Sequence, residues 1–107
     1  MRVQITARHC DVSDDTRLRA TSLMERLEKF EPNLQSAELV FEEERMARSV
    51  EGILSIARAE PVVARGEGRD FTAASDDLSD KLAKILRRRR SQRRDVARSS
   101  TVEAAED

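Results

Sequence analysis

Apolar residues recur along this chain with two different periods, and the switches between them mark out its elements. Over RVQIT at positions 2–6, Val3 and Ile5 alternate with polar neighbours, the period of a short strand. From Ala20 the steps lengthen to three and four through Leu23, Met24, Leu27 and Phe30, which is one face of a helix. Ser13 suits its N-cap, and Asp14 and Asp15 follow where the helix dipole favours negative charge. Pro32-Asn33 stops it. Alternation then returns. Ala37, Leu39 and Phe41 oppose Glu38, Val40 and Glu42 in a half-exposed strand. After a charged turn region over Glu43–Ser49, Val50, Gly52, Leu54 and Ile56 oppose Glu51, Ile53 and Ser55. Past Ala59–Pro61, Val62 and Ala64 begin a fourth strand, and Gly66 and Gly68 are expected to turn the chain into a last helix. That helix starts after Asp70 and carries the stripe Phe71, Ala74, Leu78, Leu82, Ile85 and Leu86. The expected fold is α+β in the order β-α-β-β-β-α, a four-stranded sheet with two helices on one face. The pairing order of the strands stays open.

Composition narrows this picture. At 107 residues the chain is one domain by size, and with three phenylalanines its core must be mostly aliphatic. Its charged fraction of 38% is well above the roughly 25% of ordinary domains, so much of the surface is solvated charge. Residues 1–95 form the expected domain, and residues 96–107, ending in EAAED, an expected flexible acidic tail. The single cysteine, Cys10, excludes an internal disulfide and fits a reducing compartment. No signal-peptide pattern opens the chain, and no apolar run approaches the ~20 residues of a membrane span. A cytoplasmic protein with no membrane partner is the expectation.

Charge changes the picture most, because it is separated. Residues 81–98 hold nine Lys or Arg and one acid, whereas residues 1–80 hold 11 basic and 17 acidic groups, and the whole sums to −1. Such a positive pole on an acidic body points to a polyanion, and nucleic acid is the expectation. Lys81, Lys84, Arg87 and Arg88 recur at helical spacing, and Arg90 and Arg94 extend the series beyond the apolar stripe. On the first helix Arg26 and Lys29 would add to a cleft if the helices lie side by side. Ion pairs at i,i+4 with Glu25 and Glu28 are the plainer account of the charges there.

Other candidate chemistry falls away. His9 and Cys10 are adjacent, would face opposite ways on a strand end, and have no second His or Cys to complete a metal or nucleophile site. Glu42-Glu43-Glu44 lacks the spaced oxygen ligands of a calcium loop, and Gly66-Glu67-Gly68 matches no phosphate-loop pattern. No catalytic residue, metal ligand or cofactor site is expected.

Three segments in order carry a resemblance over about residues 2–94: VQITARHCDVSDDTR, ERLEKFEPNL and GEGRDFTAASDDLSDKLAKILRRRR. Together they resemble the ribosome hibernation promoting factor family, also known as the sigma-54 modulation protein family, which includes the ribosome-associated inhibitor A. The resemblance implies a β-α-β-β-β-α domain similar to a double-stranded-RNA-binding domain, of the short form. It implies a partner in the small ribosomal subunit and its rRNA, within the whole ribosome, and it leaves room for an additional hibernation factor. The implied site is the decoding region between head and body, where tRNA and mRNA would lie, and the implied effect is blocked translation without chemistry. By position, contact with rRNA would fall to Lys81, Lys84, Arg88 and Arg90, and to Arg26. The chain departs from the family at Thr72, where a tyrosine is usual, at Leu23, where a basic residue is common, and at Glu42-Glu43-Glu44, where lysine is frequent. Arg87 and Arg89 are additions. The rival reading is a regulatory module whose basic helix docks on an acidic protein or another structured RNA.

Overall fold

The computed structural model describes the backbone of residues 1–106 and the side chains as far as Gln92. The first strand, β1 (Arg2–Arg8), alternates exposed and half-buried positions along its whole length. It ends where His9 takes φ 54°, the left-handed region that turns the chain toward the first helix. That helix, α1 (Asp14–Arg26), begins at the N-cap Ser13, whose hydroxyl accepts the Thr16 N–H. It tightens into a 3-10 turn over Leu27–Lys29 and stops before Pro32.

Strands β2 (Leu34–Glu43) and β3 (Arg48–Ile56) follow, then β4 (Val62–Gly68) and the long helix α2 (Phe71–Glu106). The sheet order, open from sequence, is β1-β2-β3-β4. β1 runs parallel to β2 with Val3 opposite Ala37 and Ile5 opposite Leu39, and a parallel pair needs a crossover, which α1 supplies. β2 with β3 and β3 with β4 are antiparallel. The charged turn expected over Glu43–Ser49 is shorter than that, because pairing continues to Glu43 and Arg48. The Glu44 N–H closes the hairpin by donating to the Ala47 carbonyl at 2.9 Å.

One face of the sheet holds the core. Leu39, Phe41, Val50 and Leu54 are buried against Ala20, Met24 and Leu27 of the first helical segment and against Ala74, Leu78, Leu82 and Leu86 of α2. Phe71 closes the end of this layer with its ring edge-on to Phe41, centroids 5.3 Å apart. In the stripe expected on α2, Ala74, Leu78, Leu82 and Leu86 are fully buried, while Phe71 and Ile85 are only partly buried. Cys10 is half-buried, its thiol 3.4 Å from the Phe41 carbonyl that it can donate to.

Gly66 and Gly68 are not the turn into α2. Both lie inside β4, and neither has positive φ. They are there for space: a Cβ on Gly66 would stand 2.3 Å from the Ala74 carbonyl oxygen and 2.5 Å from the Leu78 nitrogen. The turn itself is Arg69-Asp70, and the Asp70 carboxylate caps α2 by accepting the Ala73 N–H at 2.8 Å. The candidate Arg94 and the expected tail over 96–107 lie outside the residues whose side chains are described.

Two substitutions check this packing by urea unfolding. Leu82→Ala is expected to cost about 2–5 kcal/mol and Ile85→Ala clearly less, because only the first leaves a fully enclosed cavity. Gly66→Ala is expected to cost about 3 kcal/mol, since the obstructing atoms are backbone and cannot swing away.

Candidate nucleic-acid interface

The close seat of α2 on β4 decides which of its residues reach solvent. With Ala74, Leu78, Leu82 and Leu86 turned inward, the positions between them form two exposed edges. One edge, through Asp77, Lys81, Lys84 and Arg88, runs along β4. The other, through Asp76, Arg87 and Arg90, faces the side of α1.

The two edges are fastened differently. On the α1 side, Arg19 grips Asp76 in a two-pronged pair, with Nη2 2.8 Å from Oδ1 and 3.0 Å from Oδ2. On the β4 side, the Asp77 carboxylate accepts the Glu67 N–H at 3.0 Å and pairs with Lys81 at 3.1 Å. Lys81 also donates to the Arg65 carbonyl at 2.8 Å. The Glu67 N–H, followed by the Lys81 ammonium, holds the Asp77 carboxyl below its ordinary value. Arg65 is itself paired with Glu44, and Arg48 with Glu43 at 2.8 Å.

Arg19, Arg48, Arg65 and Lys81 are therefore matched by carboxylates. Of the residues singled out from sequence, only Lys81 is among them, and the others whose side chains are described stand apart. Lys84, Arg88 and Arg90 are exposed and make no ion pair or hydrogen bond among the described residues, and the same is true of Arg26. Lys29 and Arg87 are brought to one ring: each cation lies 5.0 Å from the Phe30 centroid. Arg26, Lys29, Arg87 and Arg90 thus belong to the side where the two helices meet, while Lys84 and Arg88 belong to the β4 edge. Lys81 sits on that edge too, but already engaged. Arg89, between them, is half-buried with its Nη1 shielded and unpartnered among the described residues.

One expectation changes. No i,i+4 ion pair holds the charges of α1 among the described residues. Arg19 reaches across to Asp76, and Arg17 donates to the Val12 carbonyl at 3.2 Å. Leu23 is buried in the core, as its place in the apolar stripe of the first helix predicts. Sequence reading also passed over Asp77 and Phe30. The Asp77–Lys81 spacing of four was a usable signal, whereas nothing local joins Phe30 to a residue as distant as Arg87. No helix among the described residues is long and apolar enough to cross a membrane.

Comparison with known proteins places this arrangement among relatives. A family model described as sigma 54 modulation protein / S30EA ribosomal protein matches residues 3–94. A ribosome hibernation promoting factor of Azotobacter vinelandii is 34% identical over 86 residues, covering 80% of this chain and 79% of that protein. One of Pseudomonas putida is 27% identical over 102 residues, covering 95% of this chain and 99% of its own length. Among solved structures, a ribosomal subunit interface protein from Coxiella burnetii superposes with a TM-score of 0.78 at 19% identity, over 85% of this chain and 99% of that one. The N-terminal domain of Thermus thermophilus Protein Y gives 0.72 at 20%, over 82% and 98%. At those identities the two structures support the α+β fold.

The depressed Asp77 carboxyl has a consequence in acid. Its pairing contributes stability that is fully present above the ordinary unfolded value of about 3.9 and is lost as pH falls through the lower folded value. Melting temperature measured against pH is expected to fall less steeply below about pH 4 in Asp77→Asn than in the parent.

Proposed function

The chain belongs to the sigma 54 modulation protein / S30EA ribosomal protein family, and from that premise we propose that it is a ribosome hibernation factor acting on the small subunit. In this reading the basic edges of α2, with Arg26 and Lys29 beside them, lie against rRNA in the decoding region between head and body. The protein then occupies the space of tRNA and mRNA and halts translation by exclusion, with no bond made or broken. Its place of action is the cytoplasm.

The observation that carries this reading is the division of the cations. Arg19, Arg48, Arg65 and Lys81 are paired with carboxylates, whereas Lys84, Arg88 and Arg90, gathered on α2, make no ion pair among the described residues. An unbalanced cation on a projecting helix repels its neighbours and gains free energy only when an outside anion arrives. Phosphates spaced along an RNA backbone satisfy several such cations at once, and each phosphate neutralised releases a counterion. A-form RNA has a major groove too narrow for side chains to read, so contact through phosphates and 2′-hydroxyls suits a surface rich in Lys and Arg with little hydrogen-bonding variety.

Co-sedimentation with purified small ribosomal subunits across a salt series tests the assignment. Changing Lys84, Arg88 and Arg90 together to Ala is expected to weaken binding and reduce the slope against log salt by roughly two to three. Lys81→Ala, whose charge is already engaged by Asp77, is expected to lose less than any of the three. A folded triple variant that sediments with subunits as the parent does would remove the basis of the proposal.

A further inference from the structure

Resting on that reading, we propose that Phe30 is a positioning residue that holds Lys29 and Arg87 as a paired phosphate grip across the two helices. Phe30 follows the 3-10 turn at the end of α1, its N–H bonded to the Leu27 carbonyl at 3.0 Å, and its ring packs against the core while remaining partly exposed. The ring is therefore fixed. Both cations lie 5.0 Å from its centroid, and among the described residues neither makes an ion pair or hydrogen bond.

What holds a cation decides what the cation has left to offer. A carboxylate orders an ammonium or guanidinium but cancels its charge, as Asp77 does for Lys81. An aromatic face orders it through the ring quadrupole and leaves the full charge and every N–H free for another acceptor. Long basic side chains lose rotamer freedom on binding, at a cost in free energy. Two cations already gathered on one ring have met part of that cost before RNA arrives. The ring also ties a residue next to α1 to one on α2, so the two helices present charge at a fixed separation.

A double-mutant cycle separates positioning from packing. Binding to small subunits, and in parallel to a short RNA duplex, would be measured for the parent, Phe30→Leu, Lys29→Ala with Arg87→Ala, and the triple variant. The expected result is about a fivefold loss for Phe30→Leu in the parent, less than twofold when both cations are already absent, and parent-like binding for Phe30→Tyr. A structural role predicts the same loss in both backgrounds, and that outcome, or no loss in the parent, overturns the proposal. Phe30→Met replaces Phe30→Leu in the cycle should the latter fail to fold. A cycle that couples on the duplex while the parent ignores small subunits retires the ribosomal reading and keeps the grip.

Discussion

Everything on the working surface depends on how closely α2 lies on β4. The backbones meet at Gly66, where there is no room for a Cβ, and again at Gly68, where one would stand 2.7 Å from Ala73. This contact fixes the rotation of α2 about its own axis. With Leu78 and Leu82 pressed into the sheet, Asp77 and Lys81 must run along β4, and Asp76 must face α1. A helix held further off by even one methyl group could roll, and its cations would no longer hold a defined position. Two glycines, which touch no partner molecule in any reading, thus decide where the charges point.

The second organising fact is that the fold handles its cations in two ways. Carboxylates secure those that brace the architecture: Arg19 across the helices, Arg48 and Arg65 at the hairpin, Lys81 at the β4 edge. Exposed pairs of this kind add little stability individually, so their value lies in geometry more than in energy. On the far side of Leu86 the carboxylates give way to one aromatic ring and to open solvent.

Much of this was legible in the sequence, for identifiable reasons. Alternation at Ala37, Leu39 and Phe41 and the three- and four-residue steps from Ala20 to Leu27 are local patterns, and each gave the correct element and the correct buried face. The basic block needs only counting. The failures share a cause, which is that long-range contact leaves no local trace. Gly66 and Gly68 read as a turn because glycine's usual local meaning is a bend, while their use here depends on a helix that comes later in the chain. The charges of the first helix read as i,i+4 pairs within it, whereas its Arg19 meets Asp76 of α2. Strand order depends on whether β1 joins β2 or another edge, which alternation does not address. Of the candidate site, the residue types were readable, but not which cations stay free.

The placement of the β2–β3 hairpin has a consequence for motion in solution. Glu42, Glu43 and Glu44 sit at the end of the molecule where α2 begins, since Arg48 pairs with Gly68 and lies 6.0 Å from the Phe71 ring. Arg87, Arg88, Arg89 and Arg90 lie further along α2, away from that end. The protein is therefore an electric dipole with nearly zero net charge, and a polyanion exerts a torque on it before it exerts a pull. At physiological ionic strength screening confines that torque to the last ~8 Å of approach. Within that shell an approach led by the acidic body, residues 1–80, is disfavoured and one led by the arginines is favoured, so orientation is biased during the encounter instead of being searched for after it.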